Sequence, residues 1–404
     1  MNYGNIPGRG IFKIQFYWMT GKYFDVIVLG VGSMGAAACY YLAKSGMRVL
    51  GLEQFTIPNE LSSHTGQSRL IRKAYYEHPA YVPLLQRAYE NWRHLESITG
   101  EHVYYETGLL YAGMPAHPVM QGVHLSASTY GINLESISEL EMKVDYAPFH
   151  IPVSYEKILE PAAGFIRPGK AIELYANKAS DHNAVILSNL KVAGWNKTAD
   201  GFRVYTADQK FYAPKLVITG GAWSGELLPT LSPSLSVTRQ TMAWMEVHHP
   251  SEFLLNKFPC WMIAEEGTPG IFYGFPILNP DKMEGPVGFK LAHHFKGEIT
   301  TPGTINRKSS KEDETRLVKV MNAYFPGAYK RTQEIKVCMY TNTPDENFII
   351  DYLPGYEKEV VVATGFSGHG FKFASVVGEI ISDLSIKGYT TLPIYFLKAD
   401  RFIN

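Results

Sequence analysis

The segment from Phe24 to Glu53 restricts the fold more than any other part of the chain. It reads FDVIVL, then GVGSMG, then the helix-like AAACYYLAKSG, then a second apolar stretch, MRVLGLE. Apolar, β-branched runs on either side of a helical pattern, with glycines at the first junction, predict strand, tight turn, helix and parallel strand. Gly30, Gly32 and Gly35 supply GxGxxG at that junction. Such glycines permit the tight turn, let backbone approach a pyrophosphate and allow close helix packing, while the helix N-terminus offers free N–H groups. Glu53 ends the second strand, where an acid accepts hydrogen bonds from the adenosine ribose hydroxyls. An ordinary glycine turn needs neither the acid nor both strands, so a dinucleotide is the expected ligand.

Two later segments have the same character. From Gly169 to Trp223 the chain reads helix (IELYANKASDH), strands (AVILSNLKVAGW), then strand, turn and helix (KLVITGGAWSG). Near the C-terminus EVVVATGFSGHGFKFASVVGEIISDLSIKG reads strand, glycine-rich turn, helix. A long helix is expected from about Tyr81 through Leu95. Between these stretches the text turns strand-rich, from about Glu101 to Pro161 and from about Val237 to Thr343. That interleaving implies two domains sharing the chain discontinuously: 23–102, 163–238 and 345–404 in the dinucleotide domain, 103–162 and 239–344 in a substrate domain. GxGxxG does not separate FAD from NAD. The return of a strand and glycine loop at Val360 to Gly370, entering a helix near Lys372, favours a flavin, because that helix N-terminus can stabilise negative charge on the reduced ring. A plain buried strand and helix is the bland alternative.

The chain's 404 residues exceed one ordinary core. Lys+Arg and Asp+Glu are both 38, which removes the basic surplus expected of a nucleic-acid binder and favours a small-molecule substrate. Cys39, Cys260 and Cys338 are odd in number and widely spaced, so neither a disulfide framework nor a CxxC metal site is expected, and a cytoplasmic location fits. No apolar run is long enough to span a membrane, and RFIN at the C-terminus is no peroxisomal address. Residues 1–22 read as a loosely docked or disordered extension; Met19, just before the first convincing strand, is a second candidate start.

Three blocks carry a resemblance: SSHTGQSRLIRKAYYEHPAYVPLLQRAYENW; GIFYGFP followed by GFKLAHH; and VCMYTNTPDENFIIDYLPG followed by ATGFSGHGFKFASVVGE. They are similar in order and spacing to monomeric sarcosine oxidase and its relatives, the N-methyltryptophan and pipecolate oxidases. The resemblance implies an α/β fold in which a glutathione-reductase-type FAD-binding Rossmann domain is interleaved with a mixed β-sheet substrate domain. It implies FAD held covalently through Cys338, a residue that by itself reads as a buried small hydrophobe. It makes Arg72 and Lys372 the pair that binds the substrate carboxylate, and Lys290 the lysine that activates oxygen. It places His294 and Tyr340 at the substrate, Arg69 near the flavin, Glu77 and Tyr273 in the pocket, and Gly368, His369 and Gly370 in a loop close to the flavin. Taken singly, each charged residue reads as an exposed group and each aromatic or histidine as core.

The implied reaction is oxidation of a small secondary amino acid, sarcosine first, by a monomeric enzyme that passes electrons to oxygen. An N-methyltryptophan or pipecolate oxidase and a flavin dehydrogenase with another acceptor are the alternatives; an NAD enzyme or a nucleotide-binding protein without turnover stand further off. In AYYEH the chain departs from the family, with Tyr76 and His78 where sarcosine oxidases tend to have glycine. Trp261 and Met262 are expected either beside the substrate side chain or in plain core.

Overall fold

The structure, a computed structural model, describes residues 23–278, 283 and 285–402; the extension expected over 1–22, with Met19, lies outside the described residues. The three dinucleotide-type segments meet in one sheet. Strand Val26–Leu29 runs parallel to Lys215–Ile218 on one side and Val49–Leu52 on the other. Val360–Thr364 extends the sheet beyond Lys215–Ile218 and Val185–Leu187 beyond Val49–Leu52, both parallel. The edge strand Ile349–Tyr352 is antiparallel and completes six strands.

All four residues of Val26–Leu29 are buried. A strand covered on both faces requires this, and it explains a continuous apolar run in place of alternation. Val26 and Val28 pack with the helices Ser33–Lys44, Val82–Thr99, Pro168–Asp181 and Ala374–Lys387, whereas Ile27 and Leu29 meet Phe202, Val204 and Phe211 of a three-stranded antiparallel meander. The helix expected to end near Leu95 continues to Thr99. Its last turn is polar and gives little apolar signal; Gly100, at φ +70°, provides the left-handed stop.

A second, nine-stranded sheet joins the two strand-rich stretches. The joint is a parallel pairing of Leu109–Gly113 with Cys260–Ala264; the strands beyond it on either side pair antiparallel. Alternation sorts its side chains. Leu110, Ala112, Trp261 and Ile263 pack with Leu317, Val320 and Met321 of the helix Lys311–Tyr324. Leu109, Tyr111, Cys260 and Met262 pack on the opposite side, with Val119, Met120 and Val123 of the helix Pro118–Tyr130. Trp261 is therefore core, and Met262 faces the other way. A small antiparallel sheet of Arg69–Ile71, Gly164–Ile166 and Tyr104–Glu106 carries the strand that leads into Arg72. Among the described residues no helix is long and apolar enough to cross a membrane.

Candidate active site

One continuous cleft runs from the first glycine turn to the C-terminal glycine loop. Gly30, Gly32, Ser33 and Glu53 line one end; Arg72, Glu77, Tyr273, His294, Tyr340, His369 and Lys372 line the other, with Arg69 between. At the first end Gly30 sits at φ +92°, and a Cβ there would lie 2.6 Å from the Thr219 carbonyl oxygen. A Cβ on Gly35 would come within 1.9 Å of the Gly30 oxygen, so this glycine seats the helix and is set back from the cleft. Gly32 meets nothing nearer than the His64 ring at 3.8 Å, which leaves its backbone open to a ligand. The helix that follows has no side-chain cap, so its first N–H groups remain available. Glu53 is buried and fixed by two backbone donors, Val31 N–H at 2.9 Å and Phe55 N–H at 3.0 Å. Burial raises its pKa, against the pull of those bonds. Thr341 also lines the cleft, and its buried hydroxyl has no partner, an acceptor and donor left for a ligand. These features fit a dinucleotide.

At the other end the Arg72 guanidinium is enclosed. Its Nη1 donates to the Ala74 carbonyl at 3.0 Å and its Nη2 to both Glu77 oxygens at 2.7 Å. The rings of Tyr75 and Tyr76 flank it, centred 4.3 and 4.5 Å away. Burial alone would raise the Glu77 pKa, yet Arg72, His369 and Lys372 hold it at about 2, so Glu77 is an anion. Lys372 donates to the His369 carbonyl at 2.6 Å; burial and the Arg72 charge bring its pKa down to about 7. The two basic residues thus arrive from segments 300 residues apart in sequence; Glu77 is paired with Arg72, and Lys372 adds to the field that keeps it ionised.

The histidines are neutral. Burial lowers His294 to about 4 and His369 to about 3. His369 Nε2 faces the Glu346 carbonyl at 3.1 Å and must carry the proton, so Nδ1 accepts from the Tyr75 hydroxyl at 2.5 Å. His294 Nδ1 lies 3.4 Å from the Tyr340 hydroxyl. Gly368, at φ +79°, lets the C-terminal loop press on Tyr340; a Cβ there would lie 2.3 Å from the ring. Gly370 lines the cleft as well.

Lys290 and Cys338 stand outside the lining, Lys290 beneath the segment 62–68. Lys290 donates to the Ser68 carbonyl at 2.7 Å and its hydroxyl at 3.1 Å, with the Phe275 and Trp244 rings beside it. Burial and the Arg69 charge depress its pKa well below the usual lysine range. Cys338 packs with Met242, Trp244 and Ala292, against Tyr273 and Tyr340. Burial pushes its thiol up, while Arg69 and Lys290 act in the opposite sense. Arg69 holds the covering loop by donating to the carbonyls of Ser63, Thr65 and Ser68.

Other residues at the site escape a sequence reading. Tyr75 orients His369 and flanks Arg72. Glu160, fully buried, accepts from the backbone N–H groups of Lys73 and Ala74 at 2.6 and 3.2 Å and from the Tyr111 hydroxyl at 2.7 Å, which fixes the chain just after Arg72. Nothing in ILEPAAG marks it, since its partners lie 49, 86 and 87 residues away. Of the two bulky residues in AYYEH, Tyr76 lines the cleft; His78 instead caps the turn at Pro79–Tyr81 and stacks on Phe396.

Residues 25–384 match the DAO family, FAD dependent oxidoreductase. Monomeric sarcosine oxidase from Bacillus sp. (strain NS-129) is 37% identical over 384 residues, 94% of this chain and 97% of that protein. N-methyl-L-tryptophan oxidase from Yersinia pestis (strain Pestoides F) is 32% identical over 360 residues, 88% of this chain and 93% of the relative. The open form of NikD, an unusual amino acid oxidase essential for nikkomycin biosynthesis, superposes with a TM-score of 0.81 at 23% identity, covering 93% of this chain and 97% of NikD, which is a likeness of fold. The chain therefore belongs to the FAD-dependent oxidoreductases of the DAO family, in the group that includes the monomeric sarcosine and N-methyltryptophan oxidases.

Proposed function

We propose that this protein is a monomeric oxidase of a small secondary amino acid, most directly sarcosine, with FAD linked through Cys338. The observation that carries the reading is the pair of buried cations, Arg72 and Lys372, at the end of a cleft whose other end is a dinucleotide turn. On this reading the chain divides into an FAD-binding domain of 23–102, 163–238 and 345–404 and a substrate domain of 103–162 and 239–344. FAD would lie along the cleft, its pyrophosphate at Gly30–Gly32, its ribose at Glu53 and its ring near Arg69, Gly368–Gly370 and Tyr340. When bound, it supplies a two-electron acceptor for an amine C–H bond.

Arg72 and Lys372 hold the substrate carboxylate by charge-assisted bonds and so orient the amine. Glu77 must leave Arg72 to admit it. His294, neutral at working pH, offers a ring nitrogen to the substrate amine, with Tyr340 beside it and Tyr273 completing the wall. Lys290 carries the oxygen half-reaction. Burial disfavours its charge, but negative charge developing on oxygen would pair with the ammonium and favour it there. For sarcosine the balance is sarcosine, oxygen and water giving glycine, formaldehyde and hydrogen peroxide. A screen of anaerobic flavin bleaching over N-methyl and cyclic amino acids, with peroxide release in air, tests substrate and acceptor separately.

A further inference from the structure

We infer that Tyr76 is a specificity-determining wall of the amine site, restricting it to secondary amino acids with hydrogen or methyl on the carboxylate-bearing carbon. The inference rests on the amine-oxidase reading above and narrows its substrate class.

Tyr76 is half-buried in the cleft, its ring centred 4.5 Å from the Arg72 guanidinium carbon, and it packs against the apolar group that includes Met262 and Ile271. A carboxylate oxygen on Arg72 sits about 2.8 Å from a guanidinium nitrogen. Tyr76 and the carboxylate-bearing carbon of a substrate held there would share the same end of the cleft, and it is the substituent on that carbon that would meet the phenol.

The wall has a rigid backing. Helix Pro118–Tyr130 presses on the Tyr76 backbone at Gly122, where a Cβ would lie 2.5 Å from the Tyr76 oxygen and 2.7 Å from its Cα. One turn on, Ser126 donates to the Tyr75 carbonyl at 2.5 Å. Tyr75 is itself fully buried, bonded to His369 and packed on Tyr81 and Phe373. The backbone at residues 75–76 therefore cannot retreat toward the helix, and the ring must stay on the cleft side. Glycine at 122 is the sequence counterpart of the tyrosine at 76, since any larger residue would drive that ring further into the site.

The test compares the parent with Tyr76→Ala and Tyr76→Phe. Anaerobic flavin reduction is measured with sarcosine, N-methyl-L-alanine and N-methyl-L-phenylalanine, and flavin spectral perturbation with acetate and phenylacetate. Tyr76→Ala should raise the efficiency of N-methyl-L-phenylalanine relative to sarcosine by about tenfold or more, and phenylacetate affinity relative to acetate in the same sense. Tyr76→Phe, which keeps the ring, should leave both ratios within about twofold. Tyr76→Leu should fall between and serves if the alanine variant loses flavin. Ratios unchanged in the alanine and leucine variants overturn the inference. A parent reduced by none of the three amines contradicts the oxidase reading instead, and the two carboxylates still decide the role of Tyr76.

Discussion

Both oxygens of Glu77 lie 2.7 Å from Nη2 of Arg72, so the proposed carboxylate anchor already holds a carboxylate of its own chain. A substrate must compete with this internal anion. Glu77→Gln removes the competitor's charge, and ligand affinity should rise by roughly tenfold, the size of one charge-assisted bond in part. Stability should fall at the same time, because Arg72 loses its buried partner, at a cost of about 3 kcal/mol. Acetate titration of the flavin spectrum and a melting curve check both; weaker acetate binding would contradict the competition.

Lys372 should make carboxylate binding pH-dependent. Its pKa of about 7 in the folded protein lies below the 10.5 of an ordinary lysine. Between those values the unfolded chain binds more protons, so this group's contribution to stability rises with pH across that window; below about 7 the folded protein bears the full cost of a buried ammonium. Ligand binding runs the other way. A carboxylate pairs with the ammonium, so acetate affinity should fall above about pH 7, by up to about tenfold per unit, and the slope should vanish in Lys372→Met. His294 and His369, at about 4 and 3, are neutral throughout.

Lys290 should act on the oxygen half-reaction. Lys290→Met is expected to slow flavin reoxidation by about a hundredfold or more while changing the reduction rate little. Stopped-flow measurement of the two half-reactions separates them; equal reoxidation rates would remove Lys290 from that role.

Cys338 should carry the flavin. Acid-precipitated parent protein should stay yellow, and Cys338→Ser should release all its flavin to the supernatant. Burial raises the pKa of the Cys338 thiol, and the charges of Arg69 and Lys290 oppose that rise in the sense that favours the thiolate needed for the link. A colourless pellet from the parent would refute the link and leave non-covalent FAD.

The nucleotide half of the fold was legible because its signals are local: strand, glycine turn, helix and acid fall within Phe24 to Glu53, and burial on both faces writes itself as unbroken apolar text. That Arg72, Glu77, Tyr273, His294, Tyr340, His369 and Lys372 line one cleft agrees with the resemblance, but their arrangement was not legible. Trp261 and Met262 are separated by strand alternation, a distinction that needs the register with Tyr273 and Tyr111. Tyr76 and His78 part company because one faces the cleft and the other caps a turn. Glu160 left no trace, since a buried carboxylate held by distant backbone donors has no sequence signature.

The most direct test of the account is anaerobic addition of sarcosine to the purified flavoprotein and to Arg72→Ala. The account predicts bleaching of the flavin in the parent, and a requirement for at least about a hundredfold more sarcosine in the variant, the loss of a buried charge-assisted anchor. No bleaching of the parent by sarcosine or any other secondary amino acid, or equal sarcosine dependence in the two proteins, would contradict it.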